Sequence, residues 1–169
     1  GARGSMAVVL GRMGSRAVFM ANDGMSGVEP WITDGTTPGT RLLADIWPGP
    51  NGEWLLAAMP FRDLLVFSAN DGLHGSEPWV SDGTTAGTRL LRDLLPGRST
   101  PVWFARTGAQ VFFTASTQAA SYMYRTDGTM AGTTQIPFAG TNPFGYTLFR
   151  GRVFLTASTP SHGSEIWSS

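Results

Sequence analysis

Two stretches of this 169-residue chain spell nearly the same eighteen residues, EPWITDGTTPGTRLLADI from Glu29 and EPWVSDGTTAGTRLLRDL from Glu77. Self-similarity at a period of about twenty to fifty residues marks a modular array, in which each copy is one small structural unit. The duplication reaches further. VFMAND (Val18 to Asp23) returns as VFSAND (Val66 to Asp71), FFTAST (Phe112 to Thr117) and FLTAST (Phe154 to Thr159). Downstream, Asp34, Asp82 and Asp127 each open an Asp-Gly-Thr, while the fourth copy reaches only SEIWSS. The units are 6–53, 54–99, 100–141 and 142–169, the last incomplete, and GARGS at 1–5 reads as a cloning scar.

Within the second unit, WLLAAM, DLLVFSA, SEPWVS and TRLLRDL are β-like runs, broken by PFR, NDGLHG and DGTTAG. β-Branched and aromatic residues fill the runs, and no helical period is sustained. Four short antiparallel strands per unit, repeated along the chain, describe blades of a β-propeller, so the expected fold is all-β with about four blades. A β-sandwich would not need its strands to repeat in sequence.

EPWITDGTTPGT, EPWVSDGTTAGT and MYRTDGTMAGT resemble the ELWxxDGTxxGT repeat of bacterial secreted and surface proteins, and NDGLHGSEPW, LLRDLLPG and SHGSEIW match its flanks. The resemblance covers nearly the whole chain after the scar. It implies a propeller-like fold and a secreted or cell-surface location, and says little about activity.

The recurring residues read as architecture. Asp34, Asp82 and Asp127 are placed to accept hydrogen bonds from N–H groups two residues on, with the next glycine supplying positive φ. Trp31, Trp79, Tyr124 and Trp167 share one position on the third strand. A ring there fills the space between blades and can set its polar atom against a backbone carbonyl. Glu29, Glu77 and Glu165 precede three of these rings, with Tyr122 in the third unit. These glutamates are expected to tie down the Asn-Asp-Gly loops. Calcium held with Asp23 and Asp71 is the lesser reading, because Thr117 and Thr159 replace the aspartates in later units. His74 and His162 occupy equivalent loop positions, and no nucleophile elbow, phosphate loop or zinc motif accompanies them. No metal, cofactor or enzymatic activity is expected.

Twelve basic and twelve acidic residues balance, without a basic run, so the sequence carries no electrostatic footprint for nucleic acid. The apolar runs are too short to span a bilayer. With no cysteine, thiolate chemistry and disulfides are excluded.

In an up-and-down blade, the loops between second and third strands emerge on the same face as the inter-blade connections. That face carries the residues that vary from unit to unit: Trp47, Asn51, Trp54, Arg98, Trp103, Asn142 and Tyr146. Aromatic faces beside amide and guanidinium groups suit a glycan or another extended polymer, while Trp54 and Trp103 could equally plug the inner strands. The expected function is a non-enzymatic binding module. Its alternative is a purely structural propeller arc. Since an open arc exposes an apolar face at each end, self-association is expected, with two chains completing a larger ring or the chain forming part of a longer polypeptide.

Overall fold

The computed structural model describes residues 7–53, 57–95, 97–159 and 161–168. The strands form four antiparallel sheets in chain order. The first contains β1 (Val8–Met13), β2 (Arg16–Asn22), β3 (Val28–Thr33) and β4 (Arg41–Leu42). The second contains β5 (Ala58–Phe61), β6 (Leu64–Asn70), β7 (Ser76–Ser81) and β8 (Arg89–Leu90). The third contains β9 (Val102–Arg106), β10 (Val111–Ser116), β11 (Ser121–Thr126) and β12 (Thr134–Gln135). The fourth has three strands, β13 (Thr141–Phe149), β14 (Arg152–Thr159) and β15 (Gly163–Ser168). Every sheet is an up-and-down meander, as blades of a propeller are.

Details of strand placement differ from the sequence reading. In the second unit, the inner strand runs to Phe61 and turns at Arg62, whose φ is 55°, so PF belongs to the strand. The outer run TRLLRDL contributes only two paired residues, because the chain then turns inward toward the next sheet.

The pleat explains the stacking. Successive side chains of a strand point to opposite faces, and here both faces of the middle strands are apolar. Val18 and its register partner Ile32 face the second sheet, where they meet Leu65, Phe67 and Ala69. Phe67 pairs with Trp79 on that same face, while Val66 and Val80 point the other way, into a cluster with Val111 of the third sheet. Phe112 and Met123 then meet Leu155, Ala157 and Trp167 of the fourth. Trp79 and Trp167 are therefore inter-sheet packing groups, while Tyr124 packs with Phe113 of its own sheet and Leu94 of the second connector. Their polar atoms were not foreseen correctly. The indole N–H groups of Trp31, Trp79 and Trp167 are shut away from solvent and donate to no acceptor. For Trp79 and Trp167 the ring lies among apolar side chains between sheets, whereas backbone carbonyls lie in the sheet planes, engaged in the ladders.

The Asp-Gly-Thr turns are built as the sequence indicates. The Thr36 N–H and hydroxyl both donate to Asp34 Oδ1, at 2.9 and 2.7 Å, and the pattern returns at Asp82–Thr84 and Asp127–Thr129. These donors, the threonine hydroxyl first, hold all three carboxyls below the usual range. Gly35, Gly83 and Gly128 adopt φ near +90°, at 93°, 86° and 92°. At Gly39, Gly87 and Gly132 the reason is space: a Cβ would fall within about 2 Å of the aspartate oxygen, at 1.9, 2.1 and 2.1 Å.

The glutamates act elsewhere than expected. Asp23 and Asp71 fasten their own loops, accepting from Met25 and Ser26 and from Leu73 and His74. Glu29, only 2% exposed, instead reaches the connection to the next sheet, accepting the N–H groups of Ile46 and Trp47 at 2.9 Å each. Glu77 is fully buried and accepts from Leu94 N–H, Ser99 N–H and the Ser99 hydroxyl. Glu165 is exposed. Each buried glutamate clamps a connector, because the connector passes over the start of the third strand, where Val28 N–H and Ser76 C=O also bond it.

Two measurements follow. Phe67→Ala empties the centre of the first inter-sheet core and should cost about 3–5 kcal/mol in denaturant unfolding. Burial pushes the Glu29 and Glu77 carboxyls up to about 7, with Asp45 and Asp93 respectively adding to the rise against the pull of the hydrogen-bond donors. The folded protein therefore holds more protons than the unfolded chain between the ordinary carboxyl value and about 7, and its stability should fall as pH rises through that window. Urea unfolding between about pH 5 and about pH 8 should show this slope, reduced by Glu29→Gln and reduced further when Glu77→Gln is added.

Candidate functional site

The innermost strands β9 and β13 carry the most exposed pair of aromatic rings in contact. Val102 pairs with Thr114 and Ala105 with Phe112, so the ladder is irregular between them. Trp103, with φ 57°, sits in that irregularity. A bulge re-aims side chains. Phe104 turns inward and stacks on Phe113 at 5.3 Å, while Trp103 turns outward and is 53% exposed.

β13 is irregular on either side of Phe144. The Thr114 hydroxyl donates to Pro143 C=O at 2.6 Å and lies 2.9 Å from the Tyr146 hydroxyl. Two residues flanking Phe144 are thereby pinned to the third sheet. Phe144 itself is left 43% exposed, its ring 6.3 Å from that of Trp103 and tilted 53°. The outcome is a two-ring apolar platform at the connector end of neighbouring inner strands.

The seven residues singled out in the sequence are dispersed. Trp47 and Asn51 lie in the first connector. The Trp47 backbone is held by Glu29, and its ring covers Gly72 of the next sheet's loop. Asn51 C=O accepts Val28 N–H at 3.0 Å, and its side chain is exposed. Arg98 lies in the second connector, 3.4 Å from Glu53, in an exposed pair of the kind that contributes little. Trp103 and Asn142 are on strands instead of connections. Trp54 lies outside the described residues. Tyr146 is not a loop residue at all: it is on β13, packs into the core between third and fourth sheets, and its hydroxyl is pushed up to about 12 by burial, against the pull of Thr114. Phe144 was missed, although Asn-Pro-Phe-Gly-Tyr, with its two turn-prone residues around Phe144, hinted at a broken ladder.

His74 belongs to its own loop. Its Nδ1 is 2.7 Å from Asp71 Oδ2, and this hydrogen bond, then the aspartate charge, raises its proton affinity. The His162 ring Nδ1 lies 2.8 Å from Ser161 Oγ, and its backbone N–H donates to Thr159 Oγ1 at 3.2 Å. Among the described residues, no three histidine, aspartate or glutamate side chains gather around one point.

No family model and no curated protein matches the sequence. Solved structures do. Puromycin hydrolase aligns over 92% of this chain and 25% of its own, at 18% identity and a TM-score of 0.63. TolB from Acinetobacter baumannii aligns over 92% of this chain and 38% of its own, at 14% identity and a TM-score of 0.57. A prolyl endopeptidase aligns over 96% of this chain and 26% of its own, at 11% identity and a TM-score of 0.60. The chain thus spans between a quarter and two fifths of the length of these three proteins. At such identities the likeness speaks of fold alone: this chain is all-β and propeller-like.

Proposed function

We propose that the chain is a non-enzymatic interaction module of a secreted or cell-surface protein of the ELWxxDGT-repeat type, and that it stacks a sugar ring of a glycan on Trp103 and Phe144. One observation carries this reading. The two rings are turned outward by breaks in their strands, while the recurring carboxylates of Asp34, Asp82, Asp127, Glu29 and Glu77 are all spent on the protein's own turns and connectors. Groups spent in this way are poor candidates for acid–base work on a substrate. Asn142, exposed and close in sequence, would add an amide. On a glycan array, Trp103→Ala and Phe144→Ala should each lose about tenfold or more in apparent affinity, as the loss of a stacked ring implies. A parent chain that captures no polysaccharide, or variants that bind as well as the parent, would remove the reading.

A second reading, assembly with another copy of the chain, rests on the two ends of the array. Among the described residues, sheet-to-sheet contacts run first to second, second to third and third to fourth, and no substantial one returns from fourth to first. Ile166 is 79% exposed, whereas Met123, its counterpart by register, is 4% exposed beneath the fourth sheet. Phe154 is likewise partly uncovered where Val66 and Phe112 are buried. At the opposite end, Phe19 is only half-buried on the face where its counterpart Phe67 is fully buried against the preceding sheet. Each end is thus one half of an interface that the chain already makes three times. The occupant we propose is a second copy, docked head to tail. Sedimentation should give a species larger than one chain, and Ile166→Lys should return it to one. A parent that runs as a single chain at high concentration would overturn this.

A further inference from the structure

The third sheet lacks the connector clamp, and a cavity lies in its place. Register equates Tyr122 with Glu29 and Glu77: it precedes by two the ring of Tyr124, as they precede Trp31 and Trp79. The equivalence holds through the outer strand, where Ile136 N–H bonds Met123 C=O just as Leu43 bonds Pro30 and Leu91 bonds Pro78. Counting on, Ala139 and Gly140 correspond to Ile46 and Trp47, the two residues whose N–H groups Glu29 accepts. Among the described residues, neither N–H bonds an acceptor. Gly140, but not the exposed Ala139 beside it, lines a cavity of about 430 Å³ against β11, whose lining also includes Tyr122, Gln135, Phe138 and Asn142.

We propose that this cavity binds a carboxylate brought by a ligand, which takes the place that the glutamate side chain fills in the first two sheets. Three features suit it. The backbone donors are available in the same part of the connector. Gln135, Asn142 and Tyr122 add amide and hydroxyl donors, and no charged side chain lines the space. Finally, the aspartate beside each clamp, Asp45 or Asp93, is here Phe138, so an incoming anion meets no like charge at that position. The carboxylate could belong to a uronic-acid sugar or to an acidic peptide. This deepens the interaction reading, and although both sites draw on Asn142, it is tested apart from the Trp103 platform, because the connector amides report this one.

The test is amide NMR on the full chain, titrated separately with glucuronate, N-acetylglutamate and the methyl ester of glucuronate. Saturable shifts of the Ala139 and Gly140 amides with glucuronate alone would assign a sugar acid; with N-acetylglutamate alone, a peptide; with both, a general carboxylate site. In Tyr122→Glu, which restores the repeat's own clamp, these amides should shift without ligand, and affinity should fall at least tenfold. Equal response to the uncharged ester, no saturable response in the parent, or undiminished binding by Tyr122→Glu would each overturn the proposal. Unchanged glycan capture by Trp103→Ala would leave it standing.

Discussion

Everything in this molecule depends on sheets that are apolar on both faces. A sheet with one oily face can be covered once and then meets water. Here Phe67 and Trp79 cover the first sheet, while Val66 and Val80, one residue away along each strand, are covered by the third. Stacking then propagates, and because sheets twist, it propagates around an axis rather than along a line. The repeat in sequence is the repeat of this two-faced demand.

Local devices serve that demand at the rim. Outer strands of only two residues would hold the chain weakly, so each is followed by a connector that must be fastened. In the first two sheets a buried glutamate does this, at the cost of removing a carboxylate from water; two or three donors offset that cost. At the opposite end of each outer hairpin, an aspartate organises the turn from within. The acidic residues that look most like chemistry are, in this protein, mostly fasteners.

What was legible in the sequence follows from how local each interaction is. The Asp-Gly-Thr turn closes within two residues, so its geometry could be read directly from the spelling. Inter-sheet packing by Trp79 and Trp167 was legible because equivalent positions in a repeat share an interface. Glu29 was assigned to the wrong loop, since its true partners lie seventeen and eighteen residues away and nothing in the spacing chooses between two nearby segments. The candidate site was least legible. Whether Trp103 or Phe104 points outward is decided by a one-residue break in pairing, and such a break exchanges every side chain between faces. Tyr146 and Phe144 were misjudged for the same reason.

The brevity of β4, β8 and β12 has a consequence for motion. Two paired residues at the periphery, against six or seven in β2, β6 and β10, leave few bonds to break before a rim segment opens. Resistance to isotope exchange should therefore be graded radially, slowest at the second strands and fastest at the circumference. The third sheet, whose rim has no glutamate anchor, would breathe first.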